Sequence, residues 1–253
     1  MLTDINGKRI LVTGSSTGIG AALALELGRL GAHVAVHGNR SVEAAQKIVT
    51  EIEEAGGKAV LVTGDVCDTA AAAKIVEDAV EALGGLDVLV NNAGGILDRV
   101  TNAEFDNEIY DNVYDLNVRS VLNVTKAAYP HLKKAGGGSI VNTGSIAGRV
   151  GGAAGSVVYA SAKAAVHSIS RNEAREFAAD NIRVNTVAPG FIETPFHNNT
   201  SQEAREGAKA AIVMGRLGTA QECVGAYVFL ISDNMSGYIT GQIIDINGGQ
   251  LMP

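Results

Sequence analysis

The sequence predicts an α/β fold, a single domain built on a doubly wound parallel sheet of seven strands with helices on both faces. Short apolar runs alternate with longer helical patterns along the 253 residues, which is the rhythm of βαβ units. No linker, low-complexity tract or internal repeat divides the chain. Residues suited to chemistry fall just behind the apolar runs, and open parallel sheets bind ligands outside the carboxyl ends of their strands.

Residues 9–13 (RILVT) read as the first strand, followed by a glycine-rich turn and a helix over 19–30. Residues 33–37 (HVAVH) form the second strand, and the helix over 42–55 behind it stops at Gly56-Gly57. The third strand, 59–63 (AVLVT), precedes a helix over 69–83 that exits through Gly84-Gly85. Residues 88–91 are the fourth strand, two helices lie within 102–134, and 139–142 (SIVN) is the fifth strand. A long helix over 156–177 leads into the sixth strand, 183–188 (RVNTVA), which Pro189-Gly190 ends. Residues 191–216 are polar, poor in strand signal and interrupted by Pro195, so they are expected to run over the sheet as an excursion. Residues 243–246 (IIDI) make the seventh strand.

With 46% hydrophobic and 19% charged residues, a chain of this length buries a core that needs no staple. Cys67 and Cys223 lack metal or redox spacing and read as structural thiols in a reducing compartment. The five histidines are scattered without ligand spacing, so no metal site is expected, and His197 in the excursion reads as solvated. A formal charge of −7 argues against nucleic acid or an anionic membrane as partner. Residues 1–8 are polar and mixed in charge, unlike a secretory leader. No apolar run reaches the ~20 residues of a membrane helix. A soluble cytoplasmic protein is expected.

The first turn, Thr13-Gly14-Ser15-Ser16-Thr17-Gly18-Ile19-Gly20, sets three glycines between a strand and a helix. Gly14 permits the tight turn, Gly18 lets backbone N–H groups approach a pyrophosphate, and Gly20 lets the helix pack on the strand. The helix N-terminus adds free donors and a dipole that favours an anion. Ser16, Thr17 and Ile19 are assigned to the same dinucleotide site. The second strand runs into Asn39-Arg40, with no carboxylate before Glu43. An acid there would accept from a ribose 2′-hydroxyl and repel a 2′-phosphate, whereas Arg40 would pair with that phosphate. NADP(H) is therefore favoured over NAD(H), with a solvated Arg40 as the alternative. Asp65-Val66, behind the third strand, suit an adenine edge, although Asp65 serves equally as a turn residue. Asn92, Ala93 and Gly94, behind the fourth strand, supply an amide for exposed backbone and room for a cofactor to pass.

Tyr159 and Lys163 lie four residues apart in VVYASAKAAVHSIS, so a phenol and an ammonium share one helix face with Cβ atoms roughly 5–6 Å apart. A phenol, with an ordinary pKa of about 10, is a poor base at neutral pH, and a nearby cation stabilises the phenolate.

Together these residues resemble the short-chain dehydrogenase/reductase family over nearly the whole chain. The resemblance rests on TGSSTGIG at 13–20, NNAG at 91–94, Asn117 in LNV, Ser145 in NTGSIAG, Tyr159-x-x-x-Lys163, and Pro189-Gly190 followed by Thr194. The tail YITGQIIDINGG is similar to the branch that holds 3-oxoacyl-carrier-protein reductases and many sugar and polyol dehydrogenases. The resemblance implies a Rossmann-type fold and hydride transfer between a nicotinamide and a ketone or secondary alcohol. It implies Tyr159 as general acid or base, with Lys163 lowering its pKa and holding the nicotinamide ribose. Ser145 would donate to the substrate oxygen, and Asn117 would help hold a water that relays protons to Lys163. Thr194 and the Ile192 backbone would meet the carboxamide, with Pro189 and Gly190 beside the cofactor.

The chain departs from the family pattern in two places. Between Ser145 and Tyr159 the stretch GRVGGAAG is one residue longer than is usual. Where carrier-protein reductases place an arginine before the sixth strand, this chain has Ala179-Asp180-Asn181. An acidic carrier would meet repulsion, so an acyl-carrier-protein partner is in doubt. A small oxo or hydroxy compound such as a sugar or polyol is the expected substrate, with 3-oxoacyl-carrier-protein reduction as the alternative. A non-enzymatic dinucleotide sensor is the more remote one. The helix of Tyr159 is apolar on more than one face, through Val157, Val158, Ala160, Ala162, Ala164, Ala165, Val166 and Ile169. A second face is expected to meet another subunit, in keeping with the homotetramer the resemblance implies.

Overall fold

Strand β1, Arg9–Val12, turns Ile10 and Val12 to one face of the sheet and Leu11 to the other, and all three are fully enclosed. Two-sided burial explains why the strand runs are apolar throughout rather than alternating. The computed structural model describes residues 3–253; Met1 and Leu2, which open the polar segment 1–8, lie outside them. Along the chain β1 is followed by α1 (Gly18–Arg29), β2 (His33–Gly38), α2 (Val42–Glu54), β3 (Lys58–Thr63), α3 (Thr69–Leu83) and β4 (Val88–Asn91). Then come α4 (Asn107–Tyr114), α5 (Ser120–Lys134), β5 (Gly138–Thr143), α6 (Ala147–Val150), α7 (Val157–Glu176) and β6 (Ile182–Pro189). The chain closes with β7 (Ile192–Glu193), α8 (Gln202–Ala211), β8 (Gly218–Thr219), α9 (Ala220–Ile231), α10 (Asp233–Ser236) and β9 (Ile243–Ile246).

Seven parallel strands form one sheet in the order β3-β2-β1-β4-β5-β6-β9, and β7 and β8 pair separately. The order reverses between β1 and β4, and such folds bind dinucleotides at that switch. Helices α1, α2 and α9 cover one face, where Leu23, Leu27, Ile52, Tyr227 and Leu230 meet Val12 and Val36. Helices α3, α5 and α7 cover the other, with Ile75, Leu132 and Ala174 against Leu11, Leu89 and Ile140.

Helix α9 was not foreseen. Cys223, Val224, Tyr227, Val228, Leu230 and Ile231 are all buried, so its sequence lacks a polar face to mark a period. Its start is nevertheless written in a capping box, with Thr219 and Glu222 exchanging side-chain and backbone hydrogen bonds. The expected excursion also holds α8, whose N-cap Ser201 accepts from the Ala204 N–H. No helix among the described residues is long and apolar enough to cross a membrane.

Candidate active site

The crevice at the switch is built from backbone and short polar side chains. The Thr13 hydroxyl accepts from the Asn92 and Ala93 N–H groups at 3.0 and 3.1 Å. The Asn92 amide donates to the Thr13 and Gly14 carbonyls at 3.0 and 2.9 Å. The ends of β1 and β4 are thereby laced together. Gly14 sits at φ +62°, and a Cβ there would come within 2.8 Å of the Ala93 Cα. A Cβ on Gly20 would meet the Asn92 amide nitrogen at 2.4 Å. The first turn of α1 opens onto this crevice, and its N-cap Thr17 makes no side-chain hydrogen bond, which leaves donors for an anion. A dinucleotide pyrophosphate fits the residues present.

His37 was missed as a site residue. Its Nδ1 accepts from the Gly14 N–H at 2.9 Å, and its Nε2 lies 3.0 Å from the Gly64 carbonyl. The ring thus spans the phosphate turn and the end of β3. Ser15, fully buried, accepts from the His37 N–H and donates to the Val12 carbonyl at 2.8 and 2.7 Å. Asn39 and Arg40 are exposed behind β2. Asp65 accepts from the Cys67 N–H at 2.9 Å, in the turn role the sequence left open. That bond, together with Asn39 and the charge of Arg40, holds its carboxyl below the usual range against partial burial. Val66, only 3% exposed, packs its side chain in the core with Val62 and Ile75.

The candidate catalytic residues gather near the ends of β5 and β6. Helix α7 holds Lys163 one turn from Tyr159, with Nζ 5.8 Å from the centre of the phenol ring. The ammonium is 3% exposed and donates to the Thr143 carbonyl at 2.9 Å. Burial without a counter-ion pulls its pKa down to about 8. Burial pushes the Tyr159 phenol up to about 12, opposed by its hydrogen bond with Ser145 and by the charge of Arg99. The cation whose charge acts on the phenol here is Arg99, while Lys163 is itself desolvated. Tyr159 stays partly exposed, so the upward push is weaker than on the enclosed Tyr227. At neutral pH the phenol is protonated, the form that can give a proton to a carbonyl.

Asn117 is completely buried in a π-helical turn, Asp115–Arg119, that joins α4 to α5. Its amide donates to the Gly95 and Val113 carbonyls at 2.7 and 2.9 Å, and its oxygen accepts from the Gly95 N–H at 3.1 Å. Such turns release a helical carbonyl from its ordinary partner and recur at functional sites. A Cβ on Gly94 would lie 2.9 Å from the Asn117 oxygen and 3.0 Å from the Lys163 Nζ, so these two groups flank one spot that only glycine leaves free. Ser145 is buried, and its hydroxyl accepts from the Ala147 N–H at 3.1 Å.

The remaining wall comes from the segment after β6. The Gly190 N–H donates to the Ile246 carbonyl at 2.8 Å, and the Pro189 carbonyl accepts from the Ile146 N–H at 2.9 Å. Thr194 lies against Gly18, where an added Cβ would be 3.4 Å from the Thr194 Cβ, which brings the phosphate turn and this wall together. Ile192 is buried and paired with Gly218. The rings of Tyr159 and Phe196 are 5.7 Å apart. His197 is not a solvated side chain: it stacks on Phe191 at 3.7 Å and meets Phe196 edge-on at 4.8 Å. Burial, then the charges of Arg99 and Arg205, push its pKa down to about 4. Among the described residues, no group of three or more His, Cys, Asp or Glu is arranged to hold a metal.

Residues 8–205 match the family model for the short chain dehydrogenase, and the chain belongs to that family. It is an oxidoreductase of the short-chain dehydrogenase/reductase type. It is 40% identical over 245 residues to a 3-oxoacyl-[acyl-carrier-protein] reductase of Thermotoga maritima, covering 97% of this chain and 98% of that one. The solved NADH-dependent reductase A1-R′, responsible for alginate metabolism, is 44% identical; its complex with NAD superposes with a TM-score of 0.89 and full coverage of both chains. A short chain dehydrogenase from Burkholderia cenocepacia J2315, in complex with NADP, is 35% identical with a TM-score of 0.90, covering 97% of this chain and 98% of that one.

Proposed function

We propose that this protein reduces the ketone of a small oxo compound to a secondary alcohol, with NADP(H) favoured over NAD(H). The observation that carries the reading is the Tyr159 phenol, hydrogen-bonded with Ser145 and one helical turn from the buried Lys163. A bound nicotinamide dinucleotide supplies the hydride. Tyr159 gives its proton to the substrate oxygen as that oxygen becomes an alcohol. The Ser145 hydroxyl donates to the same oxygen and fixes the carbonyl in the cleft. Lys163 and Asn117 flank Gly94, where Asn117 would help hold a water through which the Lys163 ammonium returns a proton to the phenol. Gly14, Ser16, Thr17, Gly18 and Ile19 hold the pyrophosphate, and Ile192 and Thr194 line the nicotinamide end.

Arg40 supports NADP(H), because it stands exposed behind β2 with no acid in the same turn. Relatives bind either dinucleotide, so the preference rests on this side chain. The Thermotoga relative favours a second reading, reduction of a 3-oxoacyl group on its carrier protein. Asp180 weighs against it: it lies in the stretch Ala179-Asp180-Asn181, where carrier-protein reductases would place an arginine, and ties up Lys133 at 3.0 Å and the Tyr129 hydroxyl at 2.5 Å. A panel of sugar, polyol and 3-oxoacyl substrates with NADPH and NADH, followed at the nicotinamide absorbance, tests both parts. Tyr159→Phe should lower kcat by roughly 100- to 10,000-fold with cofactor affinity nearly intact, and Arg40→Ala should erode the NADPH preference. Normal turnover by the phenylalanine variant would end the proposal.

A further inference from the structure

Arg99 lies in the loop behind β4, and its backbone is pinned to the start of the helix that carries Tyr159. Val100 pairs with Ser156 in parallel, and its N–H donates to the Gly155 carbonyl at 3.0 Å. Gly155, at φ +76°, brings the Arg99 Cβ to within 3.6 Å of where its own Cβ would stand. Arg99 is thus fixed at the residue four positions before Tyr159. From there its charge reaches both the Tyr159 phenol and the His197 ring and depresses the pKa of each. Arg99 itself is exposed, on the same side as the phenol and the Phe196–His197 pair that its charge acts on.

No carboxylate pairs with Arg99 among the described residues. Arg205, the other cation on this side, is committed: its guanidinium donates to the His197 and Thr200 carbonyls at 2.5 and 3.3 Å and lies 3.9 Å from Glu193. His197 is neutral, with Nδ1 at 3.2 Å from the Thr200 hydroxyl. The mouth therefore presents one uncommitted guanidinium in a protein whose net charge is −7. A guanidinium whose charge is felt inside a partly dry cleft is best satisfied by a carboxylate held in bidentate fashion.

Resting on the reductase reading above, we propose that the substrate is an oxo acid, its ketone at Tyr159 and Ser145 and its carboxylate on Arg99. The polar sugar-like substrates of the first reading then narrow to those that carry an acid group. Acid and ester pairs with one carbon skeleton test this directly: acetoacetate with methyl acetoacetate, and levulinate with methyl levulinate. Wild-type holoenzyme should reduce the acid with a kcat/KM roughly 10- to 100-fold above its ester, mostly through KM. Arg99→Gln should bring that ratio towards one, and Arg99→Lys should restore part of it. An ester reduced as well as its acid by the wild type overturns the proposal while leaving the reductase reading standing. A ratio that Arg99→Gln leaves untouched does the same. Should no ketone be reduced, the reductase reading falls. The anion site is then decided by titrating the NADPH complex with 3-hydroxybutyrate: binding that Arg99→Gln weakens tenfold or more supports it, and equal binding ends it.

Discussion

At the scale of single residues the ring of His37 does most to shape the cofactor crevice. Because Nδ1 accepts from the Gly14 N–H, the proton resides on Nε2, which donates to the Gly64 carbonyl. Burial, acting first, holds the imidazole below its usual pKa, so the neutral tautomer persists. A folded-state pKa below the unfolded one means that acid protonates the unfolded chain first. Stability and turn geometry are then lost as the pH falls through the usual imidazole range and below it. His37→Ala removes both bonds, each worth on the order of 1 kcal/mol. Dinucleotide affinity should fall roughly tenfold, with kcat at saturating cofactor much less affected. Titrating NADPH fluorescence measures this, and an unchanged Kd would show that the ring serves the fold alone.

At the scale of elements, α7 is fastened to the sheet by a polar network. The Asn142 amide donates to the Ser170 hydroxyl at 2.9 Å and to Glu173 at 3.4 Å, and its oxygen accepts from Asn91 at 2.8 Å. Thr186 on β6 donates to the same serine at 2.8 Å. Glu173 is 6% exposed, and burial pushes its carboxyl up to about 7. With a folded pKa above the unfolded one, the protonated acid stabilises the fold at low pH, and that benefit is lost as the pH rises towards 7. A shift from 4.5 to about 7 corresponds to about 3 kcal/mol at the upper end. Glu173→Gln keeps the amide contact without a charge to bury. It should unfold at higher temperature than wild type at pH 8 and at nearly the same temperature at pH 4; equal melting at both would remove the buried charge from the account. Elements with a clean period, such as β1 to β6, α1 to α3 and α7, were legible in the sequence to within a few residues. Helix α9 was not, because apolar residues such as Val224, Val228 and Phe229 continue round towards its outer side and leave only Gln221 and Glu222 as polar markers, and α8 was hidden by the polarity that marked its segment as loop. Of the candidate catalytic residues, Ser145 was marked by its place behind β5 and Tyr159 and Lys163 by their spacing of one helical turn, whereas Asn117, inside the π-helical turn, was named only by the family resemblance. Arg99, His37 and Phe196 were not legible, since only the folded chain brings them to the cleft.

At the scale of the molecule, two faces among the described residues remain apolar without a covering element. The outward row of α7 runs through Val157, Ser161, Ala164 and Ser168, all exposed and mostly small, beside exposed Phe105, Tyr110 and Leu122. Small side chains let a second helix approach closely, and the larger ones supply the rim. On the other side Val224, Val228, Phe229 and Met235 line a cleft of about 290 Å³. Tyr238 stands fully exposed nearby in sequence, and β9 has a neighbour on one side only. An open sheet edge and an apolar cleft are costly to leave in water. Two unlike self-complementary faces build a dimer of dimers. Light scattering behind size exclusion should therefore give about 104 kDa, four times the 26.0 kDa chain. Ala164→Arg, which puts a long cation into the α7 face, should halve that mass and lower activity, because the same helix positions Tyr159 and Lys163. A wild-type mass of one chain would overturn the assembly; an Ala164→Arg variant that stays tetrameric would move the contact off α7.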